Sequence, residues 1–183
     1  MSVDPPGRYD VVAIALHWLV AALVLIGFAM GLLMVDLSLS PRQLQVVSWH
    51  KSIGVTVFFL AWIRIAWRLC RPAPALLPMP PWQRRAARLG HFGLYVLLVA
   101  IPLSGWLYSS ASGVPTVWLG LVPLPDLVAP DGALEETLVQ AHLWLNWSLA
   151  ALVMIHVAAA LKHHLVDRDA TLLRMLPNRR RQQ

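Results

Sequence analysis

Two histidines, His142 and His156, lie fourteen residues apart in an apolar stretch that runs from Glu136 to Leu165. An α-helix turns by about 100° and rises about 1.5 Å per residue, so fourteen steps return to nearly the same face about 21 Å further along. Two imidazoles on such a helix would point the same way from two depths. Because imidazole is a common metal ligand, this spacing is suited to holding two haem irons, one near each surface of a membrane.

Apolar segments of membrane-spanning length make up most of the chain. Of its 183 residues, 58% are hydrophobic and only 13% are charged, whereas a soluble domain is about half apolar and a quarter charged. The sequence predicts an all-α fold, an integral membrane four-helix bundle that forms a single domain over residues 1–183. A short amphipathic helix is expected at about 168–176. The four spans are predicted roughly over 11–35, 46–69, 89–109 and 136–165.

The basic residues predict the orientation of these spans. The net charge of +6 does not indicate nucleic-acid binding, because the Lys and Arg side chains lie beside apolar segments, as positive-inside placement requires. Arg42 and Lys51 lie on one side of the predicted membrane, and the other 13 of the 15 basic residues lie on the side of the termini. Both termini are therefore predicted to be cytoplasmic, with the loop after the third span outside.

This topology sorts the histidines by depth. His50 and His142 fall in the outer half and form one expected pair. His156 falls in the cytoplasmic half, where both His17 and His91 share its depth, and spacing alone leaves that choice open. A buried polar ring is costly in a bilayer and marks a functional site by default, so five rings at two depths favour ligation over packing.

The ligand types favour haem over other metal groups. Structural zinc takes four ligands, and the outer layer offers two histidines, whereas a six-coordinate haem takes one axial ligand on each face. Cys70 is the only cysteine and no C-x-x-C-H motif occurs, which excludes a covalently attached c-type haem and an intrachain disulfide. The sequence therefore predicts two non-covalent b haems in the core of the bundle.

An ordered set of motifs resembles a known family. The chain carries R-Y and L-H-W in the first span, W-H-K-S-I-G in the second, L-G-H-x-x-x-Y and P-L-S-G-W in the third, and A-A-A-L-x-H-H in the fourth. These motifs begin at Arg8, Leu16, Trp49, Leu89, Pro102 and Ala158. Over nearly the whole chain this pattern resembles the bacterial cytochrome b561 family of inner-membrane, four-helix dihaem proteins.

The resemblance implies a ligand set and a reaction. His17 and His156 would hold the cytoplasmic-side haem, and His50 and His142 the periplasmic one, which leaves His91 as a neighbour. Superoxide would give one electron to the haems, which pass it to ubiquinone, so that dioxygen and ubiquinol are the products. The implied partners are superoxide, ubiquinone and the lipid bilayer, and the implied location is the bacterial inner membrane.

Further polar residues are assigned less specific roles. His163 corresponds to a family histidine close to the inner haem, with a part in binding quinone or its protons, and His91 is a second candidate there. Arg64 and Arg68 lie where haem propionates would emerge, although both could equally reach lipid headgroups. Lys51 and Arg42 are the expected bases on the outer face. The outer loop is otherwise acidic, so either these two lie at the haem edge or superoxide is not the donor.

Two other functions remain open on the sequence. The chain could be a cytochrome b subunit that passes electrons between quinone and a partner redox protein, with the loop 110–135 as the partner surface. It could also be a non-redox membrane module whose histidines pack or bind another metal. Haem content separates the last from the first two, and co-purification of a redox subunit supports the anchor function.

Overall fold

The computed structural model describes residues 7–35 and 37–177, and its architecture is a bundle of four long helices. Each helix is long and apolar enough to cross a membrane, which confirms the predicted all-α membrane bundle. Two short strands, β1 and β2, pair in an antiparallel hairpin between the third and fourth helices. The elements are α1 (Val11–Val35), α2 (Pro41–Cys70), α3 (Pro81–Ala111), β1 (Val117–Trp118), β2 (Val122–Pro123) and α4 (Gly132–Leu165).

Three helices begin earlier than hydropathy predicts, by five residues in α2, eight in α3 and four in α4. The added turns are polar and carry ordinary helix-start signals. Ser40 caps α2 by accepting a hydrogen bond from the Gln43 N–H, and Asp131 caps α4 in the same way. Pro81 stands in the first turn of α3, where its missing N–H has no intrahelical partner to lose. Hydropathy marks where lipid begins, whereas the backbone hydrogen bonds continue beyond that point.

An apolar layer fills the middle of the bundle. Val20, Val57, Ala61 and Leu98 are buried together there, one or two from each of the first three helices. α1 packs on α2, α2 on α3 and α3 on α4. α1 and α4 meet through side chains, including an edge-to-face contact between Phe28 and Trp147 with ring centroids 5.6 Å apart.

The C-terminal segment differs from the prediction, because no amphipathic helix forms over residues 168–176. Only Leu173–Met175 is helical there, as a single 3-10 turn. Arg168 adopts a left-handed conformation (φ 53°) that breaks the helical path. The segment instead folds over the helix ends: the Trp18 indole donates to the Met175 carbonyl at 2.8 Å, and Arg174 donates to the Ala75 carbonyl at 2.9 Å.

The two described ends of the chain lie on the same side of the bundle, where the Tyr9 N–H donates to the Arg174 carbonyl. We call this the termini side. Residues 112–131 cover the opposite side of the bundle. We call this segment the cap and that side the cap side. Arg179, Arg180 and Arg181, which contribute to the predicted orientation, lie outside the described residues.

Candidate functional site

The structure brings four of the predicted histidines together in two pairs at two depths. On the cap side, His50 of α2 faces His142 of α4, with ring centroids 6.3 Å apart. On the termini side, His17 of α1 faces His156 of α4 at 6.2 Å. The apolar core layer separates the pairs. α4 therefore contributes one histidine to each pair from one face, as the fourteen-residue spacing predicts.

The hydrogen bonds of the cap-side pair determine which ring nitrogen carries the proton. His50 Nδ1 lies 2.9 Å from the Gly27 carbonyl oxygen, and His142 Nδ1 lies 3.1 Å from the Ile101 carbonyl oxygen. A carbonyl only accepts hydrogen bonds, so each Nδ1 must carry the hydrogen. In the neutral rings the lone pair is then on Nε2, the atom a metal would need.

Both acceptor carbonyls belong to a neighbouring helix, α1 for His50 and α3 for His142. A glycine follows each acceptor by four residues and leaves room for the ring. A Cβ at Gly31 would lie 3.4 Å from His50 Cε1, and a Cβ at Gly105 would lie 3.0 Å from His142 Cε1. A larger residue at Gly105 would therefore push the His142 ring away from Ile101.

Ser104 is a site residue that the sequence reasoning missed. Its hydroxyl lies 2.9 Å from His142 Nδ1 and also donates to the Ile101 carbonyl at 2.8 Å. Because that hydroxyl hydrogen is used on Ile101, Ser104 Oγ can accept from His142. The available signal was the P-L-S-G-W motif, in which Ser104 and Gly105 are adjacent.

The termini-side pair has a different environment. His17 Nδ1 is buried and has no hydrogen-bond partner among the described residues. The His17 ring lies edge-to-face on Trp18, with centroids 5.3 Å apart. His91 of α3 also approaches His156, at 5.5 Å between centroids. Both residues that the sequence left open as partners of His156 therefore lie beside it.

The spacing of the pairs can be compared with that of two opposed metal ligands. With nitrogen–metal bonds of about 2.0–2.1 Å, two opposed ligating nitrogens lie about 4 Å apart, and the centroids of their rings lie about 6 Å apart. The separations of 6.2 and 6.3 Å fit this value. The 5.5 Å between His91 and His156 departs further from it. This spacing is compatible with one haem held by the two histidines of each layer.

The structure separates the two bases of the cap side. Lys51 lines the cavity that also contains His50 and His142. Its ammonium donates to Ser109 Oγ at 2.7 Å and lies 3.3 Å from the Val114 carbonyl oxygen. Arg42 is exposed in the first turn of α2, eight residues or about 12 Å along the helix from His50. Of the two, only Lys51 therefore borders the histidine pair.

A cleft on the termini side opens between α2 and α3. Its volume is about 960 Å³, and Arg68, Arg88, His91 and Tyr95 line its polar part. Arg64 lies outside this lining, above the Tyr95 ring at 5.5 Å from the centroid. Apolar residues line most of the remainder, among them Phe92, Val96, Val99 and Leu103 of α3. The cleft thus joins a basic mouth to an apolar wall.

His163 lies apart from this cleft, in the last turn of α4. Its Nδ1 is 2.7 Å from Asp169 Oδ2 and 3.1 Å from Asp167 Oδ2. Partial burial alone would raise the pKa of Asp169. Hydrogen bonds from Thr171 and from His163 outweigh that effect and hold the pKa of Asp169 below its usual value. His163 therefore faces a carboxylate that stays ionised at neutral pH.

The similarity of this chain to known proteins covers the region that forms both histidine pairs. A family model described as prokaryotic cytochrome b561 matches residues 8–178. The chain is 43% identical over 175 residues to cytochrome b561 homolog 2 of Escherichia coli (strain K12), covering 94% of this chain and 93% of that protein. It is 33% identical over 179 residues to the probable superoxide oxidase CybB of Yersinia pestis, covering 94% and 98%. It is also 33% identical over 176 residues to cytochrome b561 homolog 1 of E. coli, covering 94% and 99%.

Proposed function

The chain belongs to the prokaryotic cytochrome b561 family, whose members are membrane proteins that bind b-type haem, and from this premise we propose that it carries two haems and transfers electrons from superoxide to ubiquinone. His50 and His142 hold one haem, and His17 and His156 hold the other. The observation that carries the assignment of two haems is the spacing of the two pairs, 6.3 and 6.2 Å between ring centroids. His91 is a neighbour of the second haem.

The chain's own residues prepare both imidazoles of the cap-side pair as ligands. Gly27 and Ile101 accept the Nδ1 hydrogens of His50 and His142, so the rings would have Nε2 free to hold a haem iron and would resist rotation. Ser104 strengthens this hold on His142. When bound, haem would supply a one-electron couple, and its potential would depend on these hydrogen bonds and on burial.

In the proposed reaction two superoxide anions each lose one electron and become dioxygen, while one ubiquinone takes two electrons and two protons and becomes ubiquinol. Superoxide enters on the cap side, which is periplasmic under the predicted orientation. Support for superoxide comes from the similarity to the probable superoxide oxidase of Yersinia pestis and from Lys51, whose positive charge borders the cap-side pair. Arg42 contributes only long-range attraction, because it is about 12 Å further along α2.

Ubiquinone occupies the cleft between α2 and α3 in this proposal. Its lipid-soluble tail suits the apolar wall, and its ring carbonyls suit the hydrogen-bond donors Arg68 and Tyr95. His91 lines the cleft and its ring lies 5.5 Å from that of His156, which places it between the quinone and the proposed haem ligand. His163, with its two aspartates, lies apart from the cleft, and its proposed part is proton exchange at the cytoplasmic surface; Arg64 adds positive charge beside Tyr95.

The experiment that tests the reaction supplies superoxide enzymatically to the purified protein in the presence of a short-chain ubiquinone. We expect ubiquinol to form at a rate proportional to protein and to disappear when superoxide dismutase is added. His142→Ala serves as the matched control, since it removes a proposed cap-side ligand. If no ubiquinol forms above the uncatalysed rate, the superoxide reaction is wrong. A redox subunit that co-purifies would then favour the alternative, a cytochrome b subunit that exchanges electrons between quinone and a partner.

A further inference from the structure

The hairpin of the cap is apolar and lies against α2. The Leu119 N–H donates to Ser52 Oγ at 3.0 Å. The Trp118 indole N–H donates to Thr56 Oγ1 at 3.1 Å, and its ring is tilted against Phe59 with centroids 5.7 Å apart. These contacts fix the hairpin along a stretch of α2 that runs from Ser52 to Phe59.

The length of α2 shows that this stretch lies at the depth of lipid. The helix has 30 residues and is about 45 Å long, so it exceeds a hydrocarbon core of about 30 Å by about 15 Å. Ser52 and Phe59 lie about 16 and 27 Å from its first residue. Phe59 therefore falls well within the hydrocarbon core, and Ser52 falls at or within its boundary, whether the excess protrudes at the cap side, at the termini side or at both.

The hairpin is on the outside of the bundle. Phe59, against which it packs, is itself 43% exposed, and the tip residues Leu119 and Leu121 are 61% and 80% exposed. Leu119 has a left-handed backbone (φ 55°), which costs a branched residue roughly 1–2 kcal/mol relative to glycine. A large apolar side chain at such a position gains nothing by facing water, whereas contact with acyl chains compensates for that strain.

The N–H groups at the tip of the hairpin have hydrogen-bond partners within the protein. Each backbone group that is satisfied in this way lowers the cost of placing the hairpin beside lipid. Here the Leu119 N–H bonds to Ser52, and the Leu121 and Leu124 N–H groups donate to the carbonyls of Trp118 and Thr116. Strand pairing joins β1 to β2. Three positions carry no N–H at all, because they are prolines: Pro115, Pro123 and Pro125.

We propose that residues 116–124 form a hairpin embedded in the membrane leaflet on the cap side, where the side chains of Leu119, Leu121 and Val122 contact lipid acyl chains. The occupant of this surface is lipid, because the surface continues the lipid-facing side of α2 at the same depth. The cap is therefore anchored in the bilayer on one flank and by Lys51 at its centre. This inference is independent of the redox reaction.

The test places one fluorophore on the hairpin of the haem-loaded, full-length protein in phosphatidylcholine–phosphatidylglycerol vesicles. Cys70→Ser removes the native thiol, and Leu121→Cys or, in a second variant, Val122→Cys is labelled with bimane. Ala129→Cys, exposed in the same cap, is the matched control. Unchanged haem absorbance shows that each labelled variant is folded.

We expect lipids with a nitroxide on the upper acyl chain to quench the Leu121 and Val122 labels several-fold more than the Ala129 label. Aqueous iodide should show the reverse order. Equal quenching of all labels by iodide would overturn the proposal, because the hairpin would then face water. Protection of the hairpin labels from both quenchers would also overturn it, since a second copy or a partner chain would then cover this surface.

Discussion

At the scale of single residues, the same hydrogen-bond arrangement holds both histidines of the cap-side pair. The ring donates through Nδ1 to a carbonyl of the next helix, Gly27 or Ile101, and a glycine four residues later leaves space for the ring. The termini-side pair lacks this support at His17 among the described residues. Because hydrogen bonds to axial ligands shift haem potentials, the two proposed haems should have separable midpoint potentials.

The close approach at Gly105 leads to the first prediction. Gly105→Ala adds a methyl group 3.0 Å from His142 Cε1, and such overpacking typically costs about 1–3 kcal/mol. We expect the cap-side haem to be lost from most molecules, so that the pyridine haemochrome assay gives about one haem per chain instead of two. Gly90→Ala is the control on the same helix, because a Cβ there meets nothing within 4 Å. Full haem content in Gly105→Ala would contradict the position of the His142 ring.

The competition between His17 and His91 for His156 leads to a second prediction. His17→Ala should remove one haem, since the His17–His156 spacing of 6.2 Å suits opposed ligands. His91→Ala should keep both haems but slow ubiquinol formation severalfold, because His91 lines the proposed quinone cleft. Haem content and quinone reduction are measured on the same preparations. Loss of a haem in His91→Ala, with none lost in His17→Ala, would exchange the roles of the two residues.

At the scale of elements, the cap is tied to the bundle through Lys51. Its ammonium binds Ser109 Oγ and lies within 3.4 Å of the carbonyl oxygens of Val114 and Pro115. A hydrogen bond from a charged group contributes about 1.5–3 kcal/mol. Lys51→Met should therefore speed amide exchange in the segment 112–118 by roughly tenfold or more, measured by hydrogen–deuterium exchange.

The control for that experiment makes the same substitution at a lysine on the termini side. Lys162 pairs with Asp167 at 2.7 Å in an exposed position, where an ion pair contributes little. Lys162→Met should leave exchange in the cap unchanged. If Lys51→Met also leaves it unchanged, the cap is held by its hairpin contacts with α2 instead.

The helices and the depths of the histidines could be predicted from the sequence, because both follow from the helical repeat and from the positions of the apolar segments. The fourteen-residue spacing needs only the helical repeat, and the span of α1 was predicted at its observed bounds. The polar first turns of α2 and α3 were missed because hydropathy does not detect caps. The hydrogen-bond partners of His50 and His142 were missed because they lie on other helices, 23 and 41 residues away. The prediction of a C-terminal amphipathic helix was wrong because a backbone carbonyl of that segment, at Met175, accepts a hydrogen bond from the distant Trp18.

At the scale of the whole molecule, the two histidine layers and the two ends form one axis across the membrane. The cap side carries Lys51 and the first pair, the core layer follows, and the termini side carries the second pair and the basic cleft. An electron that enters at the cap side and leaves at the termini side would cross most of the bilayer. The physiological meaning of this path depends on which side faces the cytoplasm.

The distribution of basic residues predicts that orientation, and two thiols test it in intact cells. Cys70 is exposed at the end of α2 on the termini side, and Ala129→Cys places a thiol in the cap. If the termini side is cytoplasmic, as 13 of 15 basic residues indicate, a membrane-impermeant maleimide should label Ala129→Cys in intact spheroplasts of a Cys70→Ser strain. Native Cys70 should react only after lysis. Labelling in the opposite order would show that the orientation is the reverse of the predicted one. The cap, with Lys51, would then lie on the cytoplasmic side, where periplasmic superoxide could not reach it.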